Sequence, residues 1–304
     1  MSCKNQLSLF FIRFLCILFL TSIFFSNAHA GTQYDFKDLF VTSAWLQVNK
    51  ERVNVVDARS AGKYKSGHIL GAVSAPWQMF VYMDGSTEDP GYANLLTKEE
   101  LAVKLGGLGI SGQKTLVVYA NTPGWGEDGR FAWMALLLGI KDVKILDGGV
   151  RAWKNNGGKL TKGKTSLPST VFKPGAWNDG LLASIKWMKS NQGSAKIIDA
   201  RTKREFKGAV KYGEARGGHL PQAVLIPFKN LFNSDGTIKR TFLLKAIFQS
   251  KGLRTDNEIA VYCTAGVRAA YMTLVLHMAG FEKARNYDGS LYEWTAQNHL
   301  PLLR

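Results

Sequence analysis

The chain has 304 residues, 46% of them hydrophobic, and carries 39 Lys and Arg against 23 Asp and Glu, a formal net charge of +16. This hydrophobic content is ample for a large core, no segment is of low complexity, and the length favours two domains over one. A basic surface attracts anions, but the lysines are scattered along the chain. They therefore indicate either a solvated surface or the steering of a small anion.

Residues 1–30 have the pattern of a secretory signal. Lys4 and Arg13 form a basic leader, residues 14–25 are an apolar stretch, and Ala28-His29-Ala30 offers small residues for cleavage. A membrane anchor is the alternative, but about twelve uncharged apolar residues are fewer than the roughly 20 that span a bilayer. We therefore expect cleavage after Ala30 and a periplasmic or secreted protein without stable membrane insertion.

Cleavage would change the charge and the cysteine content of the chain. The net charge falls from +16 to +14, because the segment carries two basic residues and no acidic one. Cys3 and Cys16 are removed, so Cys263 is the single mature cysteine and no internal disulfide can form, although an oxidising compartment permits one. A free thiol in that compartment is easier to explain if it has a chemical task. We expect no nucleic-acid partner outside the cytoplasm.

The chain after the signal repeats one pattern twice in the same order. The first copy consists of Val55-Val56-Asp57-Ala58-Arg59, Gly67-His68-Ile69-Leu70-Gly71-Ala72-Val73, Leu116-Val117-Val118-Tyr119-Ala120, and Leu146-Asp147-Gly148-Gly149 with Ala152-Trp153. The second copy consists of Ile197-Ile198-Asp199-Ala200-Arg201, Gly218-His219-Leu220-Pro221-Gln222-Ala223-Val224, Ile259-Ala260-Val261-Tyr262-Cys263, and Tyr287-Asp288-Gly289-Ser290 with Glu293-Trp294. The repeat predicts two domains of one fold, over residues 31–164 and 180–304.

Each copy alternates short β-branched runs with helical stretches. Residues 53–56 and 197–198 are typical of strands, whereas residues 131–138 and 269–278 are typical of helices that stop at a glycine. This alternation predicts an α/β fold in which each domain is a parallel sheet covered by helices on both faces. Residues 165–179, with two prolines and a glycine, are predicted to link the domains.

Cys263 directly follows an apolar run and precedes Thr264, Ala265, Gly266, Val267 and Arg268. A strand that ends before the cysteine and a helix that begins near Arg268 would hold the sulfur in a tight loop, facing backbone N–H groups and the helix dipole. A lone cysteine is more often a small buried hydrophobe. Here, however, Gly266 lets the backbone curl around the sulfur and Arg268 adds a positive charge. We therefore interpret Cys263 as a nucleophile.

The two copies differ at the position of this cysteine. Tyr119 aligns with Tyr262, so Ala120 stands where Cys263 stands in the second copy. Ligands in open α/β sheets bind outside the carboxyl ends of the strands, where the Cys263 loop is predicted to lie. The chemistry is therefore assigned to the second domain, and the first is expected to supply a wall, a support or a partner surface.

These segments together resemble the tandem-domain rhodaneses, sulfurtransferases in which an inactive amino-terminal domain packs on an active carboxy-terminal one. The resemblance covers nearly all of the chain after the signal. It implies that the Cys263 thiolate attacks the sulfane sulfur of a donor, that sulfite leaves thiosulfate, and that an enzyme persulfide passes sulfur to cyanide or a thiol. It also implies that backbone N–H groups of Thr264 to Arg268 stabilise the persulfide, and that Arg268 binds the oxyanion end of the donor.

The donor is open between thiosulfate and 3-mercaptopyruvate. Relatives hold the donor's anionic group with basic residues before the Gly-His segment, which implies this role for Lys207 and Arg216. Lys207 replaces an arginine common in mercaptopyruvate-using relatives, and lysine lacks the planar fork that grips a carboxylate. Thr264-Ala265 resembles the small, neutral loop of those relatives, whereas Arg268 resembles the loop end of bacterial thiosulfate-using rhodaneses. We favour thiosulfate.

Other residues of the repeat receive structural interpretations. Asp199 and Arg201 are expected to form an ion pair or cap beneath the loop, and His219 to tether a turn. The tryptophans of the two repeats are expected in the core. Five scattered histidines and one mature cysteine give no metal-ligand spacing, so we expect neither a metal nor another cofactor.

Two other functions compete with sulfur transfer. A phosphatase or arsenate reductase of the same fold would also use a loop from cysteine to arginine. Related phosphatases have five residues between the two, enough to surround a phosphate, and this chain has four. A non-catalytic carrier of sulfane sulfur, or a scaffold that binds a partner through the first domain, is compatible with the same residues.

Overall fold

The computed structural model describes residues 35–163 and 165–304. The predicted signal and its cleavage site lie outside the described residues. Within the described ranges, no helix is both long enough and apolar enough to cross a membrane.

Residues 35–163 form seven strands and five α-helices. The strands are β1 (Phe40–Val41), β2 (Asn54–Asp57), β3 (His68–Ile69), β4 (Val73–Ser74), β5 (Leu116–Tyr119), β6 (Val143–Leu146) and β7 (Leu160–Thr161). The helices are α1 (Ser43–Asn49), α2 (Ala61–Ser66), α3 (Lys98–Gly107), α4 (Glu127–Leu137) and α5 (Gly149–Asn155). Five of the strands make a parallel sheet in the order β1-β6-β5-β2-β4, and β3 pairs antiparallel with β7.

The second half repeats this arrangement with five strands and five helices. The strands are β8 (Leu182–Ala183), β9 (Lys196–Asp199), β10 (Ala223–Leu225), β11 (Ile259–Tyr262) and β12 (Ala284–Tyr287). The helices are α6 (Ile185–Ser190), α7 (Lys203–Phe206), α8 (Thr241–Gln249), α9 (Val267–Met278) and α10 (Ser290–Ala296). The parallel sheet has the order β8-β12-β11-β9-β10, which is the order of the first sheet.

The two sheets also share their register. Asp57 pairs with Tyr119 in the first sheet and Asp199 with Tyr262 in the second. Strands β5 and β11 are buried at all four positions, because each lies inside a parallel sheet with helices on its faces. The prediction of an α/β fold with two parallel, helix-flanked sheets is confirmed.

The segment predicted as a linker runs along the first sheet's helices. From residue 165 to the 3-10 turn Asp179–Leu181 the described chain contains no helix or strand. It is nevertheless held in place: Phe172 is buried, Thr170 N donates to Gly106 O at 2.9 Å, and Asn178 N donates to Leu137 O at 3.0 Å. The segment is a packed connection within the fold.

Helices α4 and α9 form the centre of the contact between the two halves. One hydrophobic cluster contains buried residues of both helices, including Phe131 and Tyr271. Gly129 lies directly against the Tyr271 ring, so the helices approach closely where a side chain is absent. Because α9 begins at the Cys263 loop, this contact brings the first half of the chain to the predicted site.

Candidate active site

Cys263 lies in a tight loop between the buried strand β11 and helix α9, as the sequence predicted. The helix begins at Val267, and Gly266 caps it with a φ of 71°, a left-handed conformation that glycine adopts without strain. The cysteine is 1% exposed and lines a cavity. Within the described chain, no backbone N–H group from Thr264 to Arg268 has a hydrogen-bond acceptor. These donors are available to stabilise negative charge near the sulfur.

The start of helix α10 holds the loop from below. Cys263 N donates to Ser290 Oγ at 3.1 Å, and Leu291 N donates to Cys263 O at 3.2 Å. Tyr292 N donates to Thr264 O at 3.1 Å. Ser290 adopts a φ of 49°, which is uncommon for a residue with a side chain. The loop therefore depends on the turn that precedes α10.

Arg268 is buried and already has a partner. Its Nη2 donates to Glu205 Oε1 at 2.8 Å and its Nη1 donates to Glu205 Oε2 at 3.1 Å. Burial alone would lower the pKa of Arg268, but the hydrogen bonds and charge of Glu205 outweigh burial and raise it. Burial alone would raise the pKa of Glu205, and Arg268 outweighs it to lower that pKa to about 2. A balanced ion pair therefore lies beside Cys263.

Thr264 connects this pair to a second buried acid. Arg268 Nη2 donates to Thr264 Oγ1 at 3.1 Å, and the same hydroxyl donates to Glu214 Oε1 at 3.2 Å. Glu214 Oε2 accepts the backbone N–H groups of Lys211 and Tyr212 at 3.0 and 2.8 Å. Sequence reasoning missed both acids. Glu205 had a local signal, because it forms a capping box with Thr202 at the start of α7.

Most of the residues predicted to bind substrate lie in the Cys263 loop. Thr264, Ala265, Val267 and Arg268 line the cavity with Cys263, and Gly266 caps the helix beside them.

Arg216 and Lys207 do not line the cavity, and a role for them in holding the donor stays a prediction. Arg216 Nη1 donates to Leu300 O and its Nη2 to Gln297 O, both at 3.0 Å, so it ties down the chain after α10. Lys207 is exposed at the end of α7 and does not line the cavity. Proximity in sequence to the Gly-His segment did not bring either side chain to the sulfur.

The predicted supporting residues lie beneath the sheet's carboxyl edge. Arg201 Nη2 pairs with Asp199 Oδ2 at 2.7 Å and donates to Gly218 O at 2.6 Å. Tyr262 OH donates to the same Asp199 oxygen at 2.6 Å. His219 Nδ1 lies 2.9 Å from Phe206 O, and its ring stacks on Phe206. These contacts join β9, β11 and the Gly-His turn under the loop.

The first domain has the same framework without the nucleophile. Val150 N donates to Ala120 O at 3.0 Å, which matches the bond from Leu291 N to Cys263 O. Asp57 and Arg59 form the equivalent ion pair, and Tyr119 OH donates to Asp57 at 2.7 Å. An alanine methyl group replaces the sulfur, so this copy offers no nucleophile at that position.

The cavity above Cys263 has a volume of about 560 Å³ and is built by both domains. Its first-domain lining consists of Arg59, Ser60, Lys63, Trp77, Gln78, Met83, Tyr92, Asn121, Trp125 and Glu127. The second domain adds Tyr212 and Tyr292 to the loop residues. The Arg268 guanidinium lies 5.6 Å from the centre of the Trp125 ring, a cation–π contact between the domains. The first domain thus forms a wall of the site.

Comparisons with known proteins agree with this geometry. The family model described as "Rhodanese-like domain" matches residues 41–156 and 184–297. The chain is 31% identical over 284 residues to the "Sulfur carrier protein TtuD" of Thermus thermophilus, covering 86% of this chain and 95% of that protein. It is 27% identical over 277 residues to a Saccharopolyspora erythraea protein provisionally named thiosulfate sulfurtransferase, covering 88% of this chain and 96% of that one.

A solved structure is similar over the same length. The crystal structure of SseA from Escherichia coli, described as a 3-mercaptopyruvate sulfotransferase, is 30% identical and superposes with a TM-score of 0.72. The match covers 83% of this chain and 98% of that one. Two matched domains, two sheets of one order and relatives of 30% identity along the chain lead to one conclusion. The chain belongs to the rhodanese family, as a tandem-domain sulfurtransferase.

Proposed function

We propose that the protein transfers sulfane sulfur from thiosulfate to a thiophilic acceptor, cyanide or a thiol, through a persulfide on Cys263. One observation carries the proposal. Cys263 faces a cavity from a loop whose N–H groups from Thr264 to Arg268 have no acceptor in the described chain. Such a loop can stabilise charge on a sulfur that extends one atom beyond the cysteine.

The first half-reaction loads the enzyme. The Cys263 thiolate attacks the outer sulfur of thiosulfate and a new S–S bond forms. The S–S bond of thiosulfate breaks, and its electron pair leaves with sulfite. The terminal persulfide sulfur carries the negative charge, which the loop N–H groups stabilise.

The second half-reaction discharges the enzyme. The acceptor attacks the terminal sulfur and forms a bond to it, while the bond between this sulfur and Cys263 Sγ breaks. The electron pair returns to Sγ and restores the thiolate. Cyanide leaves as thiocyanate, and a thiol leaves as a persulfide.

The cations that line the cavity favour thiosulfate over 3-mercaptopyruvate. A planar carboxylate is held best by a free arginine fork. Arg268 is occupied by Glu205, and Arg59 by Asp57. Among the described residues that line the cavity, the remaining cation is Lys63, a point charge that suits a sulfur oxyanion as well as a carboxylate. The similarity to SseA keeps 3-mercaptopyruvate as the alternative donor.

A sulfur carrier is the second candidate, because the chain is similar to TtuD along most of its length. In that role the persulfide would form in the same way but pass its sulfur to a protein. The two candidates share the loaded state and differ in the acceptor.

Intact mass measurement of the purified protein tests the proposal. The protein is treated with thiosulfate or with mercaptopyruvate and then with cyanide, and Cys263→Ser is treated in parallel. We expect thiosulfate to add one sulfur atom, cyanide to remove it as thiocyanate, and the serine variant to stay unmodified while folded, because serine is a far poorer nucleophile. A persulfide that resists cyanide would favour the carrier. No gain of mass with either donor, in protein with a titratable thiol, would overturn the proposal.

We also propose that the protein is exported and that residues 1–30 are its signal. The pattern of basic, apolar and small residues in that segment supports this. Expression with a carboxy-terminal tag in a Gram-negative host, followed by fractionation and amino-terminal sequencing, tests it. Periplasmic protein that starts at Gly31 is expected, and unprocessed protein in the cytoplasm would contradict it.

A further inference from the structure

Two groups of the first domain converge on Asp288, at the turn before helix α10. Arg130, on α4, is 2% exposed, and its Nη1 forms an ion pair with Asp288 Oδ1. Leu95 N donates to Asp288 Oδ2 at 2.8 Å. Both carboxylate oxygens of a second-domain residue are therefore held by the first domain.

This turn is the support of the Cys263 loop. Ser290, two residues after Asp288, accepts the Cys263 N–H through Oγ and donates to Tyr287 O at 2.7 Å. Its positive φ is an unfavourable conformation that the surrounding contacts must hold in place. A shift of Asp288 would move the serine hydroxyl and the N–H groups that hold the carbonyls of Cys263 and Thr264.

Arg130 also reaches the loop itself. Its Nη1 lies 3.4 Å from Gly266 O. A Cβ atom at Gly266 would come within 2.5 Å of Asp288 O and 2.8 Å of Arg130 Nη1. The guanidinium, the turn and the cap of α9 therefore pack against one another without space between them.

The backbone hydrogen bond to Asp288 has a counterpart at Asp147 in the first domain, but the ion pair with Arg130 does not. Ile238 N, of the second domain, donates to Asp147 Oδ1 at 2.7 Å, as Leu95 N donates to Asp288. Counted from the two cap glycines, Gly126 and Gly266, Arg130 corresponds to Ala270. The first domain thus gives a buried arginine to the second at a position where the second domain has an alanine.

We propose that Arg130 is a positioning residue for sulfur transfer, by which the first domain holds the Asp288 turn and the Cys263 loop in their working geometry. The inference rests on the proposed function. Arg130 does not line the cavity, so it acts through Asp288 and Gly266 and not on the substrate. A displacement of about 1 Å at a reacting atom can reduce a rate by roughly 100-fold, so a small movement of the loop is sufficient.

The test compares Arg130→Met and Arg130→Lys with Asp147→Asn. The methionine removes the charge and keeps much of the buried volume, and the lysine restores the charge. Asp147→Asn perturbs the matching interdomain contact beside Ala120 and leaves the Cys263 side intact. Single-turnover loading with thiosulfate gives the loading rate constant and the donor concentration at half-saturation, and iodoacetamide alkylation against pH reports on the loop.

We expect Arg130→Met to reduce the loading rate constant roughly 10- to 100-fold with little change in half-saturation, and to slow the alkylation of Cys263. Arg130→Lys should recover part of both, and Asp147→Asn should stay within about twofold of wild type. Asp288→Asn, which keeps the shape of the turn, should reproduce the loss if the methionine variant fails to fold.

An unchanged rate and alkylation profile in folded Arg130→Met, or in Asp288→Asn, would overturn the inference. An equal loss in Asp147→Asn would overturn it as well, since any weakening of the domain contact would then suffice. If thiosulfate fails to load the wild-type protein, the proposed function fails, and the alkylation profiles still decide the role of Arg130.

Discussion

The positive charge beside Cys263 is balanced within the protein before any donor arrives. Glu205 takes two hydrogen bonds from Arg268, and Thr264 joins the same network. The Arg268 guanidinium therefore connects the start of α9, next to the Cys263 loop, to α7. Donor charge must then be met by the loop N–H groups, the helix dipole and Lys63 of the cavity lining.

Replacement of Glu205 by glutamine tests this arrangement. The buried guanidinium would lose its counter-charge, and breaking a buried pair from one side costs about 3 kcal/mol or more. Because the pKa of Glu205 is lowered to about 2, its contribution to stability is present above about pH 4.5 and is lost as the pH falls toward 2. Urea unfolding between pH 3 and pH 7 measures both effects, and the acid-limb slope should be smaller in the variant.

Asp256→Asn is the matched control, because Asp256 forms an exposed pair with Arg254 on the surface. It should change the free energy of unfolding far less than Glu205→Gln does, because solvent screens an exposed pair. A Glu205→Gln variant as stable as this control would contradict the role assigned to the buried pair.

Asp128, at the start of α4, predicts a second dependence on pH. Burial, and then the charge of Glu127, raise the pKa of Asp128 to about 7. A raised folded pKa means that the folded state binds the proton more tightly, so stability falls as the pH rises from about 4 to 7. Asp128→Asn should flatten this fall and raise the free energy of unfolding at pH 8 by about 1–3 kcal/mol. Identical slopes in the variant and the wild type would contradict the assignment.

Among the elements, the junction between β11 and α9 depends most on one residue. Gly266 combines a φ of 71° with close approach to the Asp288 carbonyl. A side chain there meets two penalties at once, because the left-handed conformation costs about 1–2 kcal/mol and the space is filled.

Gly266→Ala should lower the free energy of unfolding by about 2–4 kcal/mol and reduce sulfur loading by roughly 10-fold or more. Gly157→Ala separates the two penalties, since Gly157 has a φ of 79° but no atom within 4 Å of an added Cβ. It should cost about 1 kcal/mol and leave loading unchanged. Denaturant unfolding and single-turnover loading are the measurements. Equal losses in both variants would show that close packing at Gly266 is unimportant.

At the scale of the whole molecule, we expect the two domains to unfold as one unit. Their central helices share a hydrophobic cluster, and Asp147 and Asp288 each accept a backbone N–H group from the other domain. A continuous core and reciprocal contacts favour a single cooperative unfolding transition.

Gly129→Ala tests this coupling, because the added methyl group would overlap the Tyr271 ring. Overpacking at the contact should cost about 1–3 kcal/mol and lower the midpoint of the whole transition. Far-UV circular dichroism and tryptophan fluorescence should still report the same midpoint. Gly62→Ala is the control in α2, where an added Cβ has nothing within 4 Å and should be neutral or slightly stabilising. Two separated transitions in Gly129→Ala would contradict a single folding unit.

The fold class and the position of Cys263 in a strand-to-helix loop could be predicted because their signals are local or repeated. A buried parallel strand needs a continuous apolar run, and a strand-to-helix loop around a sulfur needs a glycine such as Gly266. Alignment of the two repeats then showed that Ala120 stands in the first domain where Cys263 stands in the second. These are properties of short segments, so they are legible in the order of residues.

The tertiary structure alone decided which charges meet. Glu205 lies 63 residues from Arg268 in the chain, and Arg130 lies 136 residues from Gly266. No spacing rule connects such pairs, because the packing of separate elements brings them together. The same reason applies to Arg216 and Lys207. Their position near the Gly-His segment in the sequence does not determine where their side chains lie. The sequence alone led to the interpretation of Cys263 as a nucleophile. Only the tertiary structure showed which residues surround it.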